Sequence, residues 1–84
     1  MDIHFHSQAF DDYQYFQQND RRIVDKINNL LKDISRTSFT GIGKPEPLKH
    51  NLTGFWSRRI NSEHRLVYAI KNNAIYVLQC RYHY

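Results

Sequence analysis

Eighty-four residues, of which 40% are hydrophobic and 14% aromatic, are enough for one small domain and too apolar for a disordered chain. The single cysteine, Cys80, excludes an internal disulfide and a cysteine-based zinc site, and the longest apolar run, 66–70, is too short to span a membrane. We therefore expect one domain over residues 1–84, with no signal peptide and no membrane segment, in the reducing cytoplasm.

The positive charge is concentrated in the second half of the chain. Residues 1–40 carry five Lys/Arg against six Asp, whereas residues 41–84 carry seven Lys/Arg against two Glu. The first half therefore has a net charge of −1 and the second half +5, in agreement with the +4 of the whole chain. Such asymmetry favours an anionic partner, nucleic acid first, although an ordinary solvated basic face has the same charge.

The first half predicts a short strand followed by a helical hairpin. In the strand, 2–6, His4 and His6 share one face; two histidines can bind a metal, but no third ligand is near, so exposed histidines are the better interpretation. Ser7 and Asp20 are expected to cap two helices. Their apolar positions recur with a helical period, at Ala9, Tyr13 and Phe16 in the first and at Ile23, Ile27, Leu30, Leu31 and Ile34 in the second.

A stiff segment, 43–50, follows a loop and contains both prolines of the chain, which flank Glu46. Each proline fixes its own φ and disfavours the helical region for the residue before it. Lys44 and Glu46 are therefore both expected in extended or polyproline conformation. The segment would hold one carboxylate in one direction, although a rigid connector with a solvated Glu46 is the plainer interpretation.

Three strands, 55–60, 64–70 and 74–82, complete the chain. Asn61-Ser62 is expected to form a turn, and Asn72-Asn73 a two-residue hairpin that sets Arg65 opposite Cys80. The order β-α-α-β-β-β predicts an α+β fold, an antiparallel sheet with the helical hairpin packed on one face. The other face would be open and basic.

Four motifs carry a resemblance to a known family: Gly-Lys-Pro-Glu-Pro-Leu-Lys-His at 43–50, Trp-Ser-Arg-Arg-Ile at 56–60, Glu-His-Arg-Leu-Val-Tyr at 63–68 and Cys-Arg-Tyr-His-Tyr at 80–84. With them the chain resembles, nearly end to end, the YoeB-type toxins of the RelE toxin superfamily, which pair with YefM-type antitoxins. It differs in the first strand and first helix, where phenylalanines stand in place of tryptophans and two histidines are atypical.

The resemblance implies a ribosome-dependent mRNA endonuclease that cuts the codon in the vacant A site. It implies Glu46 as general base, His83 as general acid and Arg65 as phosphate stabiliser, with support from Lys49, Arg59 and Tyr84. Because His83 is next to last in the chain, we expect Tyr84 to orient it. RNA or phosphate contacts are expected from six residues, Lys44, Lys49, His50, Arg58, Arg59 and Tyr82. This chemistry needs no metal or other cofactor, because RNA supplies its own 2′-OH nucleophile.

Plainer interpretations exist for several of these residues. Arg65 could form a structural ion pair with Glu63, and Arg58 and Arg59 could be surface charges. His50 and His64 are expected to be solvated and to contact RNA at most, and Cys80 to face the core.

The sequence is also compatible with two other functions, and it suggests several partners. The chain could be a non-catalytic gyrase inhibitor of the ParE type, or a binding module that only co-represses its operon. The expected partners are the ribosome and mRNA, and a YefM-type antitoxin whose acidic segment covers the Glu46–Arg65 face. Operator DNA would be bound only through the antitoxin complex, and a homodimer is a further arrangement.

Overall fold

The computed structural model describes residues 1–83, and within them two helices pack on a five-stranded sheet. The elements are β1 (Asp2–Phe5), α1 (Ser7–Asn19), α2 (Arg21–Arg36), β2 (Glu46–Pro47), a 3₁₀ turn (His50–Leu52), β3 (Trp56–Arg59), β4 (Arg65–Lys71) and β5 (Ala74–Gln79). The strands lie in the order β1-β5-β4-β3-β2. The predicted α+β fold is confirmed. The sheet is not wholly antiparallel, however, because β1 pairs in parallel with β5, and β2 is an additional short strand.

One residue caps both helices at the tight turn between them. The backbone N–H of Asp20 donates to the carbonyl of Phe16 at the end of α1, and its side chain accepts from the N–H of Arg22 at the start of α2. The predicted Asp20 cap is confirmed. Neither helix of the described chain is long and apolar enough to cross a membrane.

The start of α1 differs from the prediction. His6, not Ser7, caps this helix, and its Nδ1 accepts from the N–H of Gln8 at 3.3 Å. His6 therefore belongs to the helix end and not to a strand face. His4 does lie on β1, where its ring stacks on Tyr76 at 4.7 Å.

The core lies between the helices and one face of the sheet. On α2 the buried apolar residues are Val24, Ile27, Leu30, Leu31 and Ile34, whereas Ile23 is only half-buried at the edge. They face the alternate residues of β4 and β5 that point toward the helices, Leu66, Tyr68, Ile75 and Val77. Burial of such side chains stabilises the fold by about 1.5–3 kcal/mol each.

A β-bulge changes the register of the central hairpin. Asn72 and Asn73 have φ of 53° and 58°, which are the positive angles of a type I′ turn, so the predicted tight turn is confirmed. The pairing runs regularly from the turn to Tyr68 and Val77, but Val67 then pairs with Gln79 and leaves one extra residue on β5. Cys80 is therefore no longer opposite Arg65, whose N–H instead donates to the carbonyl of Tyr82.

Cys80 is fully buried, as expected. Its Sγ lies 3.5 Å from the carbonyl of Ala9, and its N–H donates to Asp12. Burial, and next the charge of Asp12, raise the pKa of the thiol to about 12. The cysteine stays protonated near neutral pH and has no nucleophilic role.

A buried ion pair fastens the loop after α2 to the sheet. Arg58 on β3 is 0% exposed, and its Nη1 lies 2.5 Å from Asp33 of α2. The same guanidinium donates to the hydroxyl of Tyr68 and to three loop carbonyls, those of Thr37, Thr40 and Ile42. We call this group the Arg58 cluster. Burial raises the pKa of the Tyr68 hydroxyl, which remains protonated and donates to Ser38.

Candidate active site

The sheet face turned away from the helices brings three of the predicted site residues together. Glu46 pairs with Ser57, and Arg59 pairs with Arg65. Because side chains alternate along a strand, Ser57 and Arg59 are on one face of β3, whereas Arg58 points to the helices. Glu46, Arg59 and Arg65 therefore share a face, with about 7 Å between successive rows of side chains.

This face is basic over only part of its area. Its other part is an apolar groove of about 290 Å³, bordered by Phe55, Tyr76 and Leu78. The expected open, basic face is therefore basic in one part only, and its charged residues lie toward β2 and the turn between β3 and β4.

Glu46 presents an exposed carboxylate from the edge strand β2. Within residues 1–83 the carboxylate has no hydrogen-bond or ion-pair partner, so it is free to accept a proton. It borders a groove of about 400 Å³ together with Lys49 and His50, which are also exposed. Three predicted site residues thus line one cavity.

The backbone before Glu46 turns more sharply than predicted. Glu46 is extended, as expected, but Lys44 has φ of +52° and lies in the left-handed region. The carbonyl of Gly43 accepts from the N–H of Arg59 at 2.6 Å, which fixes the chain against β3 just before the turn. The expectation for Lys44 is therefore wrong, because tertiary pairing at Gly43 decides its conformation.

Arg65 is half-buried and directed by two carbonyls. Its Nη1 donates to the carbonyls of Asn61 and His64, at 2.7 and 3.0 Å, whereas Nε and Nη2 have no partner in the described chain. The alternative of an ion pair with Glu63 is wrong, because the Glu63 carboxylate instead lies 3.5 Å from the ring of His64. The free donors of Arg65 can hold a phosphate.

Two arginines face each other across the sheet. Arg59 is exposed and pairs directly with Arg65, and like charges in that position are destabilising. An anion bound between them would remove that repulsion. The arrangement therefore favours a phosphate at this point of the face.

The end of the chain lies beside the turn between β3 and β4. The ring Nε2 of His83 lies 3.3 Å from the carbonyl of Ser62, which accepts a hydrogen bond in the tautomer that carries its proton on Nε2. Tyr82 is exposed, with φ of +64°, and its ring is available to a base. Tyr84 lies outside the described residues, and its role stays a prediction.

Two predicted nucleic-acid contacts are corrected by burial. Arg58 is enclosed in the Arg58 cluster and has no donor directed to solvent, so it is not part of the RNA-binding set. His64 is only 6% exposed and is not solvated. Sequence alternation could have identified His64, because it precedes β4 by one residue and has the same parity as the buried Leu66 and Tyr68 of that strand.

Among residues 1–83 there is no group of three or more His, Cys, Asp or Glu side chains that could hold a metal ion. What the site does offer is an unpaired carboxylate, two facing guanidiniums and an exposed imidazole. This is a set that can move protons and stabilise a phosphate without further groups.

The fold and these charged groups define a small α+β domain with a charged, partly basic sheet face. Residues 5–84 match the family model of the YoeB-like toxin of bacterial type II toxin-antitoxin systems. The chain belongs to this family, and the resemblance noted from its motifs is confirmed.

Relatives match along the whole chain. Toxin YoeB of Escherichia coli (strain K12) is 58% identical over 84 residues, which cover 100% of both chains. Among solved structures, the chain is similar to one in a YoeB-YefM complex from Staphylococcus aureus, with 59% identity and a TM-score of 0.94. It is equally similar to a chain of the YoeB dimer from the same organism, with 60% identity and a TM-score of 0.94. Both alignments cover 100% of this chain and 98% of the other.

Proposed function

We propose that this protein is a toxin that cleaves mRNA in the ribosomal A site by metal-free attack of the 2′-OH. One observation carries the proposal: the unpaired Glu46 carboxylate and the facing pair Arg59 and Arg65 share a sheet face, and His83 lies at the adjacent turn. Each step of RNA transesterification has a matching group there. Family membership as a type II toxin supports the same function.

The proposed reaction uses each group once. Glu46 takes the proton of the 2′-OH, whose oxygen attacks the adjacent phosphorus. Arg65, with Arg59, stabilises the charge on the non-bridging oxygens. The bond from phosphorus to the 5′-oxygen breaks, and His83 gives that oxygen its proton. The products are a 2′,3′-cyclic phosphate and a free 5′-OH.

The remaining predicted residues would bind RNA around this centre. Lys49 and His50 share the groove of Glu46, Lys44 is exposed just before it, and Tyr82 can stack on a base. Tyr84 would orient His83. The reaction takes place on ribosomes, and we therefore propose that the protein acts in the cytoplasm.

Cleavage should depend on the ribosome. The site lies on an exposed sheet face with no enclosing lid among the described residues, so the protein alone has little means to align a flexible RNA backbone. Positioning by a scaffold can lower a barrier by up to about 7–11 kcal/mol. We expect cuts, mapped by primer extension, on ribosomes with a defined codon in a vacant A site and almost none on free message.

The reactions on free and ribosome-bound mRNA must contain the same message and the same concentration of the protein. Equal rates on free and ribosome-bound message would contradict ribosome dependence. If the message stays intact and DNA breaks appear, the protein is instead a gyrase inhibitor. If message and DNA both stay intact and the protein binds its operator with the antitoxin, the protein is a co-repressor alone.

A YefM-type antitoxin is the proposed protein partner, and it would cover the arginine pair. We expect Arg59→Ala and Arg65→Ala each to weaken antitoxin binding at low salt at least about tenfold, or about 1.4 kcal/mol. The difference should shrink at high salt, where exposed charges are screened. Calorimetric titration at two salt concentrations measures both effects.

Lys71→Ala is the matched control, because Lys71 is exposed on the same strand and the same face at its far end. It should bind the antitoxin like the wild type. Unchanged low-salt affinity of both arginine variants would place the antitoxin elsewhere.

Further assembly follows from the same proposal. The chain would join its antitoxin in repressing their operon and would contact operator DNA only through that complex. A YoeB dimer from S. aureus makes a homodimer a further arrangement for this chain.

A further inference from the structure

His64 is a buried histidine that the proposed reaction does not use. It lies just before β4 and is 6% exposed. Its ring packs edge-on against Phe16 of α1, with 5.0 Å between ring centroids, and in a tilted arrangement against Tyr82, with 5.7 Å between centroids. The ring is thus enclosed between the helical layer and the end of the chain, and it has no direct access to RNA.

The side chain of His64 holds the segment that carries His83. The N–H of Tyr82 donates to Nδ1 of His64 at 2.8 Å, and the carbonyl of Tyr82 accepts from the N–H of Arg65 at 3.1 Å. Both backbone groups of Tyr82 are therefore fixed by two consecutive residues. Since Nδ1 accepts, the ring proton is on Nε2, where the carboxylate of Glu63 lies 3.5 Å away.

The backbone of His64 directs Arg65. Its carbonyl accepts from Nη1 of Arg65 at 3.0 Å and from the N–H of Ile60 at 3.0 Å. One residue thus contacts both the segment of the proposed acid and the guanidinium of the proposed phosphate stabiliser.

Tyr82 needs this support because its backbone is unfavourable. Its φ of +64° lies in the left-handed region, which residues with a side chain adopt only where neighbours hold them. If the bond to His64 were lost, the part-buried N–H of Tyr82 would lack its protein partner and the segment would relax toward other conformations. His83 would then leave the carbonyl of Ser62.

We infer that His64 is a positioning residue, which holds His83 through Tyr82 in the geometry needed for proton transfer. The inference rests on the proposed function, since it assigns His64 a role in that same site. His64 itself touches neither RNA nor the reacting atoms.

A pair of variants with the same shape separates the hydrogen bond from packing. Asparagine and leucine have the same branching at Cγ, but only asparagine places an acceptor near the position of Nδ1. We expect His64→Leu to slow single-turnover cleavage on programmed ribosomes about 10–10²-fold, because small displacements of an aligned group have effects of this size. His64→Asn should cut within about threefold of the wild type, on the same positioning argument.

The effect should fall on the rate of the bound complex. The ribosome concentration at half-maximal rate should be unchanged in His64→Leu, because the buried ring does not contribute to RNA binding. The amide proton of Tyr82, followed by NMR hydrogen exchange, should be protected in the wild type and in His64→Asn and exchange readily in His64→Leu. His4→Asn, a histidine change on β1, is the control and should behave like the wild type in both measurements.

The cleavage rates and the exchange of the Tyr82 amide together test whether His64 is a positioning residue. If folded His64→Leu cuts at the wild-type rate, or if both variants lose activity equally while the Tyr82 amide stays protected, His64 is not a positioning residue. If the wild type itself cuts no message, the proposed function fails, and the hydrogen-exchange contrast still tests whether His64 holds the chain end.

Discussion

Replacing Glu46 with glutamine should slow mRNA cleavage on programmed ribosomes by about 10²–10⁴-fold, the usual contribution of a general base. Glutamine keeps the size of the side chain and its extended position on β2 but cannot take the 2′-OH proton. Single-turnover cleavage measures the loss. The rise of the rate with pH at the acid end of the profile should disappear as well, since that limb reports the base.

Folding and binding must be separated from chemistry in this experiment. Glu46 has no partner within residues 1–83, so the melting temperature of the variant should match that of the wild type. Asp25→Asn, a carboxylate change at an exposed position of α2, should cut at the wild-type rate. Wild-type cleavage by a folded Glu46→Gln protein would show that another group accepts the proton.

Arg58→Leu should lower the free energy of unfolding by about 3–5 kcal/mol, which is the usual effect of removing one partner of a buried ion pair. The variant leaves Asp33 uncompensated, and the carbonyls of Thr37, Thr40 and Ile42 each lose a donor. Urea unfolding measures the change. Arg59→Leu, the exposed neighbour on β3, should cost less than about 1 kcal/mol, as is usual at the surface.

The loss should also depend on pH. Hydrogen bonds from Arg58 and, next, from the N–H of Ile42 lower the pKa of Asp33 below its ordinary value of 3.8 in the folded protein. The ionised carboxylate therefore stabilises the fold above pH 3.8, and this contribution is lost as the pH falls from there through the lowered pKa. The gap between wild type and Arg58→Leu should be constant near neutral pH and narrow in acid. A gap that widens in acid would contradict the assignment.

The helices could be predicted because their signals are local. A helical period of apolar residues and the Asp20 cap depend on neighbours within about four positions, and both are present in the structure. The same holds for the Asn72-Asn73 turn, whose residues tolerate positive φ. At the start of α1, Ser7 was the better capping residue by type, but the strand-to-helix geometry brought the ring of His6 to the N–H of Gln8.

The sheet was predicted less well because its pairing is not local. Nothing near Asp2–Phe5 indicates that β1 pairs in parallel with β5, more than seventy positions away. The bulge opposite Val67 and Tyr68 has no glycine to mark it, and it shifts every later pair by one residue. A register counted from the turn alone therefore set the wrong residue opposite Arg65.

Charge alone could not distinguish the buried Arg58 from the exposed Arg59. Arg58 and Arg59 are adjacent and equally basic, but alternation places Arg58 on the side of the buried Ile60 and Arg59 on the other side. Asp33, within the apolar pattern of α2, was the second signal of a buried pair. The prediction that both arginines contact RNA ignored the face on which each one lies.

The Arg58 cluster also bears on how the loop after α2 can evolve. Three of the five groups that Arg58 contacts are main-chain carbonyls, which every amino acid provides. Exchanges of side chain at 40 and 42 should therefore be neutral, whereas an insertion or deletion would move the carbonyls out of reach. Gly41 is the exception, because its φ is +121° and an added Cβ would collide with the carboxylate of Asp33. Natural variants of this loop should therefore differ in composition but keep its length and Gly41.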